Sequence, residues 1–201
     1  MLKRVFDILA SLIGLVLCIP IFIIVSILIK SDSKGPIFYG GTRVGKKGKK
    51  FKLCKFRTMN PDASKKGPAI TYSDDPRITK IGKLLRNTKI DELPQLLNVL
   101  KGEISFVGPR PESPFYVEKY NKEQLKVLDV KPGITGLAQL KFPAEESILK
   151  EENLHEDYLH NILPQKLVLD MEYIKKYSFI FDLKILFQTL SILLKGRGNT
   201  K

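Results

Sequence analysis

The stretch Thr88–Pro111, TKIDELPQLLNVLKGEISFVGPRP, decides how the rest of the chain is read. Leu93, Leu96, Leu97 and Leu100 recur at helical spacing, which predicts a helix that begins at Asp91. As the N-cap, Asp91 would face unpaired N–H groups and the positive end of the helix dipole. Pro94 is tolerable in that first turn, where its missing N–H has no intrahelical partner. Gly102 then ends the helix. Glu103–Val107 reads as a short strand, and Gly108–Pro111 as a rigid loop presenting Arg110. The adjacent acids Asp91 and Glu92, opposite a pinned guanidinium, are one way to build a site for a metal-bound phosphate. Taken alone, the same dipeptide is an ordinary helix cap with a solvated acid pair.

Upstream, Ile78–Arg86 has the pattern of an amphipathic helix with Lys80, Lys83 and Arg86 on its polar side. Arg86 lies five residues before Asp91, within reach of a phosphate there. Pro36–Tyr39 and Lys50–Thr58 read as strands, with Gly40, Gly41, Gly45 and Gly48 turning among lysines between them. Lys55 and Arg57, at the end of the second strand, are placed to project toward a phosphate. Asn60–Pro76 reads as a loop that runs into the turn Asp74-Asp75-Pro-Arg77.

The chain of 201 residues suits one domain with an appendage. Of its net charge of +13, residues 1–60 supply +10, from twelve Lys and Arg against Asp7 and Asp32. Such a basic segment fits anionic lipid or a phosphorylated substrate, and nucleic acid is the other standard reading. Aromatic-interleaved basic strands are missing, so no nucleic-acid partner is expected. Cys18 and Cys54 have no CxxC spacing, which excludes a disulfide or zinc framework and fits a reducing compartment.

Between Asp7 and Lys30 lie twenty-two uncharged residues, Ile8–Ile29, long enough for a membrane span. Pro20 should break this helix, because it cannot donate to the carbonyl of Val16 and its ring crowds that turn. Both flanks are basic, with Lys3 and Arg4 before and Lys30 and Lys34 after. A helix broken at Pro20 that returns to the inner face keeps both flanks in the cytoplasm, whereas a spanning helix strands Lys3 and Arg4 outside. Ser11 or Ser26 could serve the backbone groups freed near the break. The expected organisation is a re-entrant helix, 1–30, followed by a catalytic domain, 31–201.

Downstream, Pro114–Leu128 reads as a helix whose Tyr116 and Tyr120 pack on the core. His155 and His160 fall in an acidic helix, Glu151–His160, and are expected to be solvated. Leu167–Tyr177 is a further helix. Phe179–Leu194 is too polar to span with Asp182, Lys184 and Gln188 in it, and reads either as an interfacial helix over 179–195 or as a core helix. The fold class is α+β: a mostly helical single domain with a small β element, a proline-broken membrane helix and interfacial helices.

The chain also resembles the bacterial sugar transferases, small monotopic phosphoglycosyl transferases that start glycan assembly. The matching stretches are Lys55-Phe-Arg-Thr-Met59, Asp75-Pro-Arg-Ile-Thr79 with Gly82, and Asp91-Glu-Leu-Pro-Gln95 running on to Asn98-Val-Leu-Lys-Gly102. Ser105-Phe-Val-Gly-Pro-Arg-Pro111 and Lys131-Pro-Gly-Ile-Thr-Gly136 with Gln139 complete a set in family order. The resemblance implies that a UDP-sugar gives its phosphosugar to polyprenyl phosphate and releases UMP. It implies that Asp91 is the nucleophile, that Glu92 joins it in holding Mg2+, and that Arg110 binds a nucleotide or phosphate through a planar fork which lysine cannot replace. Lys55, Arg57, Arg86, Thr135 and Gln139 complete the expected substrate contacts. It also places the chain at the cytoplasmic face of the bacterial inner membrane, with a homodimer left open. Asp170 matches an acid near the family's membrane junction and is expected to pair with Lys3 or Arg4. Ile19 departs from the family's usual Ser before the helix-breaking proline, and the variable stretch Phe142–Pro164 leaves the sugar unspecified. The alternative is a membrane scaffold whose acid pair is only a cap.

Overall fold

In a computed structural model the chain is described over residues 1–63, 67, 70–72, 74–143, 149 and 152–195. It opens with two helices, α1 (Leu2–Leu17) and α2 (Ile19–Asp32), bent by 58° at Cys18. Pro20 falls in the first turn of α2, where no intrahelical N–H is needed, so the helix restarts at the proline instead of losing a bond to it. Among the described residues no single helix is long and apolar enough to cross a membrane, and the bent pair passes that test only together. Ser11 and Ser26 do not serve the break. Their hydroxyls donate to Ile8 O (3.1 Å) and Phe22 O (2.6 Å), one turn back along their own helices. The ladder instead crosses the bend through Cys18 N–H to Gly14 O and Phe22 N–H to Cys18 O, both 2.9 Å.

The pair is inside-out compared with a helix of a soluble core. In α1 the buried residues are Asp7 and Ser11, while Val5, Leu9, Leu12, Ile13, Val16 and Leu17 are exposed. α2 buries Val25 and Ile29 against Phe56 and Leu85 and exposes Ile23, Ile24 and Ile27.

Two antiparallel strands follow, β1 (Phe38–Val44) and β2 (Lys50–Phe56), with Phe38 opposite Phe56 and Val44 opposite Lys50. Gly40 and Gly41 lie inside β1, opposite Cys54 and Leu53, and not in the turn expected of them. Only Gly45 and Gly48 serve that turn, because extended glycines pair as readily as any residue once a partner strand is fixed. Helix α3 (Lys80–Thr88) begins after Thr79, whose hydroxyl accepts Gly82 N–H at 3.0 Å. α4 (Gln95–Lys101) ends at Gly102 in the left-handed conformation, φ 83°, as expected. β3 (Ser105–Val107) then pairs in parallel with β4 (Gly133–Thr135).

Pro114–Leu128 is not one helix. α5 (Pro114–Val117) and a 3-10 turn over Gln124–Asp129 are separated at Asn121, whose N–H and side chain exchange 2.9 Å hydrogen bonds with Gln124. This reciprocal cap starts a new helical turn there. Tyr116 packs in the core as expected, and Tyr120 packs against the same cluster. After α6 (Leu137–Lys141), α7 (Leu154–Asp157) runs through a π turn over Tyr158–Ile162 into α8 (Leu163–Lys175). The two helices expected there are therefore one run, widened just ahead of Pro164, whose ring would crowd the carbonyl one turn back. Glu151, the expected start, lies outside the described residues. Both histidines are exposed as expected, His160 beside Glu156 and His155 sharing a 2.7 Å hydrogen bond with the Tyr116 hydroxyl.

α9 (Phe179–Lys195) closes the described chain. It buries Asp182 and Ile185 and exposes Ile180, Phe187, Leu190 and Leu193, so one face belongs to the core and the other does not. The expected pairing of Asp170 with Lys3 or Arg4 is not made. Lys3 pairs with Asp182 at 2.6 Å, and Arg4 donates to Val99 O and Leu100 O. Asp170 is buried on α8, one turn from Lys166. The mostly helical α+β architecture holds, and among the described residues its strands are divided between two small sheets.

Candidate active site

Between α3 and α4 the chain turns through Lys89, a non-glycine residue held left-handed at φ 59°. Ile90–Glu92 form a 3-10 turn, and α4 does not begin until Gln95. Asp91 is therefore not an N-cap. Pro94, with its φ set near −61°, takes the position before α4, and Asp91 makes no capping bond.

Its surroundings are correspondingly different from those of a cap. Asp91 is 5 % exposed, and its Oδ1 is buried with no hydrogen-bond partner. Burial pushes its pKa up, Lys55 opposes the rise, and the neighbouring Glu92 adds to it. Lys89 and Arg86 also lower it. Glu92 is the other half of an unequal pair. Its Oε1 accepts from Lys55 Nζ and from Arg110 Nη2, each at 2.8 Å. Burial would raise Glu92 too, but the Arg110 and Lys55 charges outweigh it and hold the carboxyl well below the usual range. Lys55 Nζ stands 3.8 Å from Asp91 Oδ2, so β2 and the Gly108–Pro111 loop deliver cations to one spot.

The other expected contacts divide. Arg86 is brought near: Nε donates to Thr58 Oγ1 at 2.9 Å, and its charge acts on Asp91. Arg57 is not. Its guanidinium is buried against the end of α2, donating to Lys34 O (2.6 Å) and Ser33 O (2.9 Å). Arg57 stands one residue past the end of β2, so the alternation that would have put it on the face of Lys55 no longer holds there. Thr135 hydrogen-bonds Thr189 on α9 at 2.7 Å. Gln139, whose Oε1 and Nε2 are both buried without a partner, lies against the crossing of β3 and β4. That crossing is made by glycines: a Cβ on Gly133 would lie 2.1 Å from Gly108 N, and one on Gly136 2.4 Å from Gly108 O. Thr135 and Gln139 thus stand behind the loop that carries Arg110. Lys89 was missed. Left-handed helix ends favour Gly or Asn, so nothing in the sequence marks a lysine for that place.

Among the described residues no cluster of three His, Cys, Asp or Glu side chains is placed to hold a metal. Two adjacent carboxylates, one with an orphaned buried oxygen, nevertheless fit Mg2+, which commonly takes one or two carboxylates and completes its shell with substrate oxygens and water.

Residues 1–196 match the family described as bacterial sugar transferase. The chain belongs to the bacterial sugar transferase family. This sugar transferase is 47% identical, over 72% of its length and 79% of the relative's, to a Bacillus subtilis protein with the provisional name undecaprenyl-phosphate N-acetylgalactosaminyl 1-phosphate transferase. It is 35% identical to the exopolysaccharide production protein ExoY of Rhizobium meliloti, over 99% of this chain and 88% of that one. It is also 35% identical to the UDP-N-acetylgalactosamine-undecaprenyl-phosphate N-acetylgalactosaminephosphotransferase of Aeromonas hydrophila, over 98% of this chain but only 44% of that one.

The sequence motifs of the sugar transferase meet in space. Thr58 O accepts Thr79 N–H at 3.0 Å, and a Cβ on Gly82 would lie 2.0 Å from the same carbonyl, so the Lys55–Met59 and Asp75–Gly82 motifs form one clasp. Arg77 grips Asp75 in a buried pair, with Nη2 to Oδ2 at 2.6 Å and Nε to Oδ1 at 2.9 Å. Asn98 donates to Lys52 O and Glu103 Oε2 and accepts from Cys54 N–H, tying α4 to β2. Each of these clasps holds a segment that bears Lys55, Arg86 or Asp91.

Proposed function

We propose that this sugar transferase moves a phosphosugar from a UDP-sugar to polyprenyl phosphate, with undecaprenyl phosphate the acceptor named among its relatives, and releases UMP. The observation that carries the reading is the unequal acid pair: Asp91, buried with an unbonded Oδ1, beside Glu92 clamped by Lys55 and Arg110.

In the first step an Asp91 oxygen attacks the phosphorus that bears the sugar. The P–O bond to UMP breaks, and the phosphosugar is held on Asp91 as an acyl phosphate. In the second, an oxygen of the lipid phosphate attacks the same phosphorus, Asp91 leaves as carboxylate, and a lipid-linked diphosphate sugar forms. Two displacements suit one site that serves a soluble donor and a membrane acceptor in turn. Asp91 and Glu92 would hold Mg2+, which when bound neutralises phosphate charge. Arg110 and Lys55 are half-buried cations that orient the diphosphate. Little water reaches Asp91, so each electrostatic contact there counts for more than it would in bulk solvent.

The helix pair α1–α2 is proposed to be re-entrant, with the catalytic domain at the cytoplasmic face. Both ends of the pair bind the same domain, which supports that reading: Lys3 reaches Val107 O and Asp182, while Asp32 accepts Ile81 N–H and Arg57 holds the carbonyls after α2. The apolar residues around the bend, and the exposed face of α9, then meet lipid.

UMP release from UDP-glucose, UDP-galactose and UDP-N-acetylgalactosamine tests the reaction. Without acceptor, one donor should give a burst of about one UMP per enzyme, and adding undecaprenyl phosphate should convert it to turnover. No UMP from any donor, with or without Mg2+, removes the proposal.

A further inference from the structure

The first two turns of α1 carry three charged residues, Lys3, Arg4 and Asp7, and all three point into the domain. Asp7 is buried, and its Oδ1 accepts from Ser105 Oγ (2.9 Å) and Phe106 N–H (3.3 Å) on β3. Lys3 Nζ donates to Val107 O (2.8 Å) at the end of the same strand, to Tyr173 OH (3.0 Å) and to Asp182 Oδ2 (2.6 Å). Arg4 donates to Val99 O (2.6 Å) and Leu100 O (2.8 Å), carbonyls in the last turn of α4. Around these bonds Phe6 packs edge-on to Phe106 and Phe179. A Cβ on Gly14 would lie 3.2 Å from Leu96 Cδ1, so α1 runs close along α4.

The partners are not arbitrary. β3 leads directly into Gly108–Pro111 and so sets where Arg110 stands. α4 follows directly on the turn that bears Asp91 and Glu92. One short polar patch on an otherwise lipid-like helix therefore grips both segments that build the site. The basic residues that would be read as topological charges on a free N-terminus are instead engaged by the domain. A cation meant only for the membrane surface has no need of a buried strand carbonyl or of helix-end carbonyls as partners.

We propose that Lys3, Arg4 and Asp7 are positioning residues that lock the membrane helix to the two site-bearing segments, fixing the depth of Asp91 and Arg110 relative to the lipid acceptor. This rests on the two-step reading of the site above. A soluble donor approaches from water whatever the tilt of the helix, whereas the phosphate of a lipid acceptor is held at a depth set by the bilayer. Loosening the lock should therefore slow transfer to lipid far more than capture of the phosphosugar by Asp91. Misplacements on the order of 1 Å cost about a hundredfold in rate.

The test uses the full chain in nanodiscs and the variants Asp7→Leu and Asp7→Asn, the second of which keeps an oxygen acceptor for Ser105 and Phe106. Asp7→Leu should lower turnover with undecaprenyl phosphate by about ten- to a hundredfold. It should leave the acceptor-free UMP burst within about twofold, while Asp7→Asn stays near the parent in both. Hydrogen exchange at residues 105–108 should be about tenfold faster in Asp7→Leu and near parental in Asp7→Asn. Burst and transfer falling together, unchanged exchange in Asp7→Leu, or Asp7→Asn failing as Asp7→Leu does would each overturn the lock. If Asp7→Leu does not fold, Ser105→Ala removes one of the two bonds and is read in the same way. A parent that releases no UMP counts against the reaction, and the exchange measurement still decides the lock.

Discussion

Among the described residues the acid pairs Asp91–Glu92 and Asp170–Glu112 follow the same electrostatic pattern. In one, Glu92 is held ionised by Lys55 and Arg110 while burial pushes Asp91 up. In the other, Glu112 is held low by the Lys166 charge despite its burial, while burial pushes Asp170 up to about 7. Glu112 Oε1 accepts from Lys166 Nζ at 2.8 Å and from the Tyr158 hydroxyl. In both pairs the raised aspartate has a buried Oδ1 with no hydrogen-bond partner. The pairs differ in their cations. The Lys55 and Arg110 side chains are 24 % and 28 % exposed, whereas that of Lys166 is 4 % exposed, with Tyr158 bonded to its ammonium. A half-open clamp can accept a phosphate, and a sealed one can only hold the fold together. Unequal acids alone do not mark a catalytic site; the exposure of their counter-charges does.

Removing the two raised aspartates should separate the pairs most sharply. Asp91→Asn should abolish UMP release, a loss of about a thousandfold or more, as expected for a covalent nucleophile, with the thermal transition near that of the parent. Asp170→Asn should leave UMP release within about tenfold, well short of the loss at Asp91. Equal losses would break the comparison.

Removing the cations comes next. Lys166→Met leaves Glu112 buried and unpaired and should cost about 3–5 kcal/mol, read as a lowered denaturant midpoint. Lys55→Met removes a partly exposed cation and should cost under about 1 kcal/mol of stability while still impairing activity. A Lys55→Met protein as unstable as Lys166→Met would make the first pair structural as well.

The smallest effects are in pH dependence, and the two pairs should move different observables. Asp91 titrates above an ordinary aspartate, so kcat/KM should fall on acidification at a higher pH than a solvated carboxylate would give. Lys55 lowers that pKa, so Lys55→Met should move the acid limb to still higher pH. Asp170 binds its proton more tightly folded than unfolded, since about 7 lies above the usual value of about 3.9. The stability it contributes is complete below the unfolded pKa and is lost as pH rises toward 7. Urea midpoints of Asp170→Asn should therefore vary less with pH over that interval than those of the parent. An acid limb that Lys55→Met leaves in place would argue against titration of Asp91.

Much of the architecture was legible before the fold was known. The helix that ends at Gly102, the strand after it and the break of the apolar N-terminal helix near Pro20 all obey rules within one or two turns of chain. The sequence picked out most of the residues that cluster around Asp91 but not how they meet. Asp91, Glu92, Lys55, Arg86 and Arg110 do come together, while Arg57 turns to the end of α2 and Thr135 to α9. The N-cap expected of Asp91 failed because a left-handed Lys89 and Pro94 delay α4 by a turn, which apolar spacing does not register.

By itself the sequence determined the end of α4 at Gly102, the strand after it, the apolar N-terminal segment and the motifs that mark a sugar transferase, because these are properties of neighbouring residues. Only the tertiary structure decided that Asp91 is buried rather than capping, that Lys3 and Asp7 grip β3, and that Asp170 faces Lys166 instead of the N-terminus. Those outcomes depend on backbone geometry that apolar spacing does not register, on contacts between residues far apart in the chain, or on which face of a packed helix meets the core. Burial at that range sets both the charge state of each acid and the partner that compensates it.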